Sequence, residues 1–142
     1  MKAYLSRRYY LSASHRLHTD ALDEEENRRT FGKCNNPHGH GHNYMVEVTF
    51  SGTVNQATGM VADLGLLDAF AREHLLDRFA VQNLNTLPEF TVVVPTSENF
   101  SIAVHRIFSQ FPHAHLERVH VEETSNNSFD FAGAQLPPAG RY

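Results

Sequence analysis

The chain has 142 residues, of which 41% are hydrophobic and 20% are charged, and its formal net charge is −4. This length predicts a single domain over residues 1–142 with one hydrophobic core. The negative charge argues against general nucleic-acid binding, and no window has the roughly 18 continuous apolar residues of a membrane span. One cysteine and an N-terminus without an apolar signal block predict a cytoplasmic location.

The hydrophobic pattern predicts four strands and two helices. Alternating apolar residues indicate strands over residues 4–14 and 42–51. The aperiodic segment 16–39 between them predicts a long loop with at most one short helical turn, and a loop of that length is usually functional. Helices are expected over 63–79 and 96–111, with Asp63 and Thr96 as caps. The last predicted elements are strands over 116–124 and 128–132.

The order ββααββ predicts an α+β fold. Its sheet would be antiparallel and four-stranded, with both helices packed on one face. Such a sheet leaves two open edges, and an open edge is a ready site for pairing with another chain. We therefore expect a homo-oligomer.

Three histidines on two neighbouring strands predict a metal site. His40 and His42 are two residues apart, so their imidazoles lie on the same face of a strand. A hairpin between the first two strands would bring His15 to the same end of the sheet. Three imidazoles with an open fourth position form a catalytic type of zinc site. The alternative is a histidine-rich loop end that only contacts solvent.

Cys34 and Glu123 are the other candidate functional residues. Cys34 lies in a polar loop six residues before His40, where a nearby cation would lower the pKa of its thiol and make it a base or nucleophile. Glu123 continues the apolar face of a strand, so its carboxylate needs donors, which a flat heterocycle would supply. The alternatives are a small core cysteine and a solvated strand end. For Glu98, a simple interaction with the helix dipole is the alternative to a binding role.

Four segments together resemble one known family. They are Ser-Ala-Ser-His-Arg-Leu at 12–17, Gly-Lys-Cys-Asn-Asn-Pro-His-Gly-His-Gly-His-Asn-Tyr at 32–44, Pro-Thr-Ser-Glu-Asn at 95–99 and Glu-Thr-Ser-Asn-Asn at 123–127. In this order they resemble the 6-pyruvoyl-tetrahydropterin synthase / 6-carboxytetrahydropterin synthase family. The resemblance covers almost the whole chain and implies the tunnelling fold, usually assembled as a hexamer of two trimers.

The resemblance also implies a function and site residues. It implies a lyase acting on 7,8-dihydroneopterin triphosphate, with Zn²⁺ held by His15, His40 and His42 and with Cys34 as the catalytic residue. Of the two products, 6-carboxy-5,6,7,8-tetrahydropterin on the queuosine route is the first expectation and 6-pyruvoyl-tetrahydropterin is a close second. The implied pterin contacts are Glu123, Thr96, Ser97 and Glu98. The basic candidates for the triphosphate are Arg16, Arg28, Arg29 and Lys33.

The sequence departs from the family at one point. After the first long helix the family carries an Asp-His pair that completes a proton relay with the cysteine, whereas this chain has Ala80 and Val81 there. Neither side chain can move a proton. Two alternatives therefore stay open: a pterin- and zinc-binding homologue with weak or absent activity, and an altered, aldolase-like cleavage that uses another histidine. The other histidines considered are His38, His74, His113 and His115.

Overall fold

The computed structural model describes residues 1–133 and contains one five-stranded mixed sheet. Its strands are β1 (Lys2–His15), β2 (His40–Thr53), β3 (Gln82–Asn83), β4 (His115–Thr124) and β5 (Asn127–Phe131), in the spatial order β3-β1-β2-β4-β5. The predicted four-stranded antiparallel sheet is therefore wrong in one respect, because β3 pairs in parallel with Ala13 and Ser14 at the end of β1. A two-residue strand has no periodicity by which sequence could reveal it. Residues 134–142 of the predicted domain lie outside the described residues.

The helices are α1 (Glu24–Phe31), α2 (Leu64–Ala71), α3 (Asp77–Phe79) and α4 (Ser97–Phe108). A π-helical turn, Arg72–Leu76, joins α2 to α3, so the predicted helix over 63–79 is one rod with a wider turn inside it. Thr96 caps α4 as predicted, since its hydroxyl accepts from the backbone N–H of Asn99. No helix in residues 1–133 combines the length and apolar character needed to cross a lipid bilayer.

The helix α1 occupies part of the loop predicted over residues 16–39, where at most one short helical turn was expected. Asp23 accepts from the N–H of Glu26, and the Glu26 side chain accepts from the N–H of Asp23, which is a complete capping box. A short 3₁₀ turn, Gly32–Asn35, follows directly. The acidic run that suggested a loop is thus the first turn of a helix, where negative charge is favourable.

The core lies between the sheet and the helices. Tyr44, Val46, Val48 and Phe50 of β2 are almost fully buried, as the alternating pattern predicts. The residues that α2 to α4 bury most completely are Leu67, Ala71, Leu75, Phe79, Phe100, Val104 and Phe108. The opposite face of the sheet carries exposed residues such as Tyr4 and Tyr10. The candidate site lies on the helix-facing side, at the end of the sheet where β1 ends and β2 begins.

Candidate active site

Strand register brings the three predicted histidines together. His15 at the end of β1 pairs with His40 at the start of β2, and His42 pairs with Ala13. The Nε2 atom of His15 lies 3.2 Å from that of His40 and 3.2 Å from that of His42. The Nε2 atoms of His40 and His42 are 3.0 Å apart. The hairpin expected from the sequence is therefore present, and three ring nitrogens converge on one point.

The hydrogen bonding of His15 and the lowered pKa values of His15 and His42 fit a metal site. The Nδ1 atom of His15 lies 2.9 Å from the carbonyl oxygen of Pro95, and a carbonyl only accepts, so this nitrogen donates and Nε2 presents a lone pair. Burial is the main cause that lowers the pKa of His15 and of His42, which favours neutral imidazoles. Four ligands at zinc–nitrogen distances of about 2.0–2.1 Å would lie about 3.3–3.4 Å apart. The observed triangle is close to that size, so the donor set fits zinc.

Gly39 allows β1 and β2 to approach each other at this end. Its φ is +69°, and a Cβ atom there would lie 2.8 Å from the carbonyl oxygen of His15. Any other residue would both strain the backbone and push against the strand that carries His15. The glycine therefore helps to bring His40 within reach of His15.

Cys34 lies beside the three histidines. The 3₁₀ turn after α1 carries it, and the backbone N–H of Leu17 donates to its carbonyl oxygen over 2.8 Å. Its sulfur and the three ligand nitrogens all lie within 4.8 Å of one another. Burial, and then the negative charge of Glu123, raises the pKa of the thiol. In the protein alone Cys34 is therefore a protonated thiol at neutral pH, whereas the sequence argument expected a cation to lower its pKa.

Glu123 also reaches this cluster. It lies near the end of β4, where the pairing with β5 shifts register between Glu122 and Thr124; such a bulge re-aims a side chain. Its Oε1 atom is 3.4 Å from Nε2 of His42 and 3.6 Å from Nε2 of His15. Its Oε2 atom accepts from the side-chain amide of Asn127 over 3.0 Å. The side chain is only 12% exposed, so it is not a solvated strand end.

The segment from Thr96 to Glu98, which was predicted to contact the pterin, is linked to the three histidines less directly than Cys34 and Glu123 are. Thr96 uses its hydroxyl to cap α4, and Glu98 is exposed in the first turn of that helix. Ser97 is buried, and its Oγ atom has no hydrogen-bond partner among the described residues. The contact that joins this segment to the histidines is the carbonyl of Pro95.

Two parts of the site were not found from the sequence. One is the Pro95 carbonyl, since a backbone acceptor leaves no signal in the residue types. The other is Tyr44, whose hydroxyl lies 3.4 Å from Nδ1 of His15 in the buried interior. Burial, and then Glu123, raises the pKa of this hydroxyl. Its position on the same strand face as His40 and His42 was the available signal.

Ala80 and Val81 occupy a turn beside β1. Val81 has a φ of +59°, its N–H donates to the carbonyl of Ser12 over 2.6 Å, and its side chain is 87% exposed. A β-branched residue in the left-handed region is strained. The backbone here keeps a conformation that suits Asn, Asp or His better than the residue present.

A basic cleft of about 600 Å³ opens next to His40. Three of the four predicted triphosphate residues line it, namely Arg16, Arg28 and Lys33, whereas Arg29 is not among its lining residues. Glu24 and His18 also line this cleft. Its charge and its position beside the histidines suit a phosphorylated ligand.

Comparisons with known proteins identify the family. The family model described as 6-pyruvoyl tetrahydropterin synthase matches residues 4–134. The human 6-pyruvoyl tetrahydrobiopterin synthase is 42% identical over 134 residues, which is 93% of this chain and 92% of the human protein. A putative 6-carboxy-5,6,7,8-tetrahydropterin synthase of Archaeoglobus fulgidus is 35% identical over 89 residues, which is 61% of this chain and 70% of that protein.

Solved structures agree with this result. The structure of Caenorhabditis elegans 6-pyruvoyl tetrahydropterin synthase matches with a TM-score of 0.89 and 37% identity, covering 94% of this chain and 97% of that one. The Plasmodium vivax structure of the same name has 13% identity and a TM-score of 0.60, so it shows the fold alone. These matches confirm the resemblance and the α+β class with one sheet. The chain belongs to the 6-pyruvoyl tetrahydropterin synthase family of lyase-type enzymes.

Proposed function

We propose that this chain is a zinc-dependent lyase that converts 7,8-dihydroneopterin triphosphate into 6-pyruvoyl-tetrahydropterin with loss of the triphosphate. The observation that carries the proposal is the set of three Nε2 atoms 3.0–3.2 Å apart, with a thiol and a carboxylate beside them. The human and nematode relatives, which match more of the chain than the archaeal one, favour the pyruvoyl product over the 6-carboxy product expected first.

Each member of the site has a role that follows from its surroundings. Zinc held by the three histidines would lower the pKa of the substrate's side-chain hydroxyls. Glu123 would accept hydrogen bonds from the amino and ring N–H groups of the pterin. Burial raises the pKa of the Cys34 thiol in the metal-free protein, and zinc beside it would lower that pKa and let the thiolate take a proton from the substrate. Thr96, Ser97 and Glu98 remain predicted pterin contacts.

The basic cleft supports a triphosphate-bearing substrate. Arg16, Arg28 and Lys33 line the space next to His40, so a ligand whose side chain reached the histidines would extend its phosphates into this cleft. A guanidinium group can donate two parallel hydrogen bonds to two phosphate oxygens, which makes the contact stronger than a single hydrogen bond.

We further propose that the working form is a homo-oligomer, and a hexamer as the family implies.

A second candidate function is a pterin- and metal-binding protein with weak or altered, aldolase-like activity. The observation that favours it is the pair Ala80 and Val81, because neither side chain can take part in a proton relay. General acid–base groups usually contribute about 10²–10⁴-fold to a rate. Their loss would therefore leave binding intact and slow the chemistry.

One experiment separates these functions. Purified protein loaded with one equivalent of zinc is incubated with 7,8-dihydroneopterin triphosphate, and the products are identified by mass, with Cys34→Ser as the comparison. We expect 6-pyruvoyl-tetrahydropterin and free triphosphate, lost in the variant. A pterin with two fewer side-chain carbons would instead indicate the 6-carboxy product. Unchanged substrate, with binding detected by calorimetry, would support the binding protein.

A further inference from the structure

The three histidines leave a fourth metal position, and Glu123 lies next to it. Among the described residues, Glu123 is the acid whose carboxylate contacts two of the ligand nitrogens, at 3.4 Å from His42 and 3.6 Å from His15. Ligands of a tetrahedral zinc with bonds of about 2.0–2.2 Å lie about 3.3–3.5 Å apart. The Oε1 atom therefore already lies close to the distance of a fourth ligand from two of the three nitrogens, and it has no contact within 4.0 Å with the ring nitrogens of His40, so binding the metal requires a small rotation of the carboxylate towards His40.

The surroundings of Glu123 hold it in this place. Its other oxygen accepts from Asn127 across the β4–β5 turn, and the bulge beside it directs the side chain towards the histidines. The carboxylate is nearly buried, and a buried carboxylate needs a charged or hydrogen-bonding partner. A cation between the three imidazoles would supply that partner.

The proposed role of Glu123 in pterin binding conflicts with this position. The amino and ring N–H groups of a pterin form a pair of parallel donors, which match both oxygens of one carboxylate. These donors lie at the end of the pterin opposite the side chain that would reach the metal, so a carboxylate bound to them is held away from the three histidines. The two roles of Glu123 therefore exclude each other in any one molecule.

We propose that Glu123 is the fourth metal ligand of the substrate-free protein and that pterin binding withdraws it, so that the metal opens only when a pterin is bound. The second half of this inference, in which the pterin withdraws Glu123 from the metal, rests on the proposed function. It gives the site a means of excluding water and small anions from the metal until the substrate is in place. The link is reciprocal, because a ligand that fills the fourth position favours the form of Glu123 that binds pterin.

Cys34 is the competing fourth ligand. Its sulfur and the three nitrogens all lie within 4.8 Å of one another, and a zinc–sulfur bond of about 2.3 Å would need the sulfur about 3.6 Å from each nitrogen. Glu123 is the ligand proposed here because its Oε1 atom lies 3.4 Å and 3.6 Å from two of the nitrogens, and the cobalt spectrum decides between the two ligands.

Cobalt spectroscopy tests the proposal, because the visible spectrum of Co²⁺ depends on its ligands. Wild-type protein, Glu123→Gln and the matched control Glu122→Gln are each loaded with one equivalent of Co²⁺ and titrated with azide. Glu122 is the neighbouring residue on β4, exposed on the other face of the sheet. If Glu123 closes the site in nine of ten molecules, its removal should tighten azide binding about tenfold. Glu122→Gln should behave as wild type.

A second arm needs no variant. Wild-type cobalt protein is titrated with azide in the presence of 6-methylpterin, which has no side-chain hydroxyls, while pterin fluorescence reports its binding. We expect the bound pterin to tighten azide binding to the level seen in Glu123→Gln. If 6-methylpterin binds and azide affinity does not change, the opening step is wrong although pterin recognition stands. If 6-methylpterin does not bind, pterin recognition and the opening step both fail, and the azide titration of Glu123→Gln still decides ligation.

Two further results would overturn the ligation itself. One is equal azide affinity in wild type and Glu123→Gln, each with one cobalt bound per chain. The other is a thiolate-to-cobalt charge-transfer band in the near ultraviolet of the wild-type protein that disappears in Cys34→Ser. That band would assign the fourth position to Cys34.

Discussion

His15 depends on three separate parts of the chain for its position. Strand register places it opposite His40, the Pro95 carbonyl ahead of α4 accepts from its Nδ1 atom, and the hydroxyl of Tyr44 lies beside the same nitrogen. Because Nδ1 is held as the donor, Nε2 is the only ring nitrogen left to act as a ligand. One imidazole thus connects the hairpin, the helix start and the core.

We predict that His40→Ala loses its bound metal. The variant removes one of three converging nitrogens, whereas the matched control His38→Ala removes an exposed ring from the same segment. Metal analysis after dialysis should find about one zinc per chain in wild type and His38→Ala, and far less in His40→Ala. Full zinc occupancy in His40→Ala would contradict the three-histidine site.

Val81 carries backbone strain that a substitution should release. A residue held in a sparsely populated region costs about 1–3 kcal/mol, and Asn tolerates the left-handed region better than Val. Since the Val81 side chain is 87% exposed, little packing is lost when it is replaced. We expect Val81→Asn to raise the free energy of unfolding by about 1 kcal/mol, measured by urea denaturation. A destabilised variant would show that the side chain has a contact beyond this chain.

The same position provides a test of the missing relay. We predict that Ala80→Asp with Val81→His raises the lyase rate by about 10²–10⁴-fold. The matched control is Ala80→Asp with Val81→Asn, which relieves the same strain without an imidazole. Both rates are measured as product formed per active site. If the control gains as much as the histidine variant, strain relief and not proton transfer is the cause.

At the scale of the elements, periodic segments were predictable and short ones were not. The alternation in β1 and β2 was sufficient to place His15, His40 and His42 on one face of the sheet, because a strand period of two fixes which residues share a face, whereas the pairing of His15 with His40 came from the structure. The capping box of α1 was present in the sequence as Asp23 and Glu26 but lay in an acidic run that resembled a loop. The strand β3 and the bulge beside Glu123 depend on tertiary pairing, which leaves no local pattern. The sequence therefore predicted which residues form the site better than how each is held.

An ion pair between β1 and α2 should make stability depend on pH. Arg7 binds both oxygens of Asp68 at 2.8–3.0 Å, and the Tyr9 hydroxyl donates to the same carboxylate. The hydrogen bond from Arg7 is the main cause that lowers the pKa of Asp68 below its usual value of 3.8. A carboxyl group whose pKa is lowered in the folded protein contributes to stability at pH values above its ordinary, unfolded pKa. This contribution disappears as the pH falls through the pKa of the folded protein.

Asp68→Asn tests this contribution. The pair is partly exposed, so we expect the variant to lose at most about 1 kcal/mol of unfolding free energy at pH 7. Below the lowered pKa of Asp68 the difference from wild type should shrink, because the wild-type carboxyl is then protonated as well. Urea denaturation at pH 7 and at a pH below the lowered pKa of Asp68 measures this difference in unfolding free energy. The exposed Asp77→Asn is the control. A difference that stays constant with pH would assign the effect to packing.

At the scale of the whole molecule, the sheet formed by residues 1–133 has unpaired backbone along both of its edges. Within the described residues β3 covers only Ala13 and Ser14 of β1, and β5 forms the other edge with five residues. The helix-free face beside the β1 edge also exposes Tyr4 and Tyr10, at 64% and 71%. Long open edges promote pairing between chains. Joining the β1 edge of one copy to the β5 edge of the next would extend the sheet from chain to chain, and a ring forms if the rotation between copies closes.

We therefore predict that the protein is an oligomer held mainly by strand pairing. Sedimentation at micromolar concentration should show a species several times heavier than the 16.1 kDa chain. The midpoint of thermal unfolding should rise with protein concentration, because association stabilises only the folded chain. Backbone pairing is far less sensitive to salt than contacts between exposed charges are, so the assembly should persist at high ionic strength. Dissociation by salt would point to a charged interface, and a monomer at every concentration would mean that these edges stay open in solution.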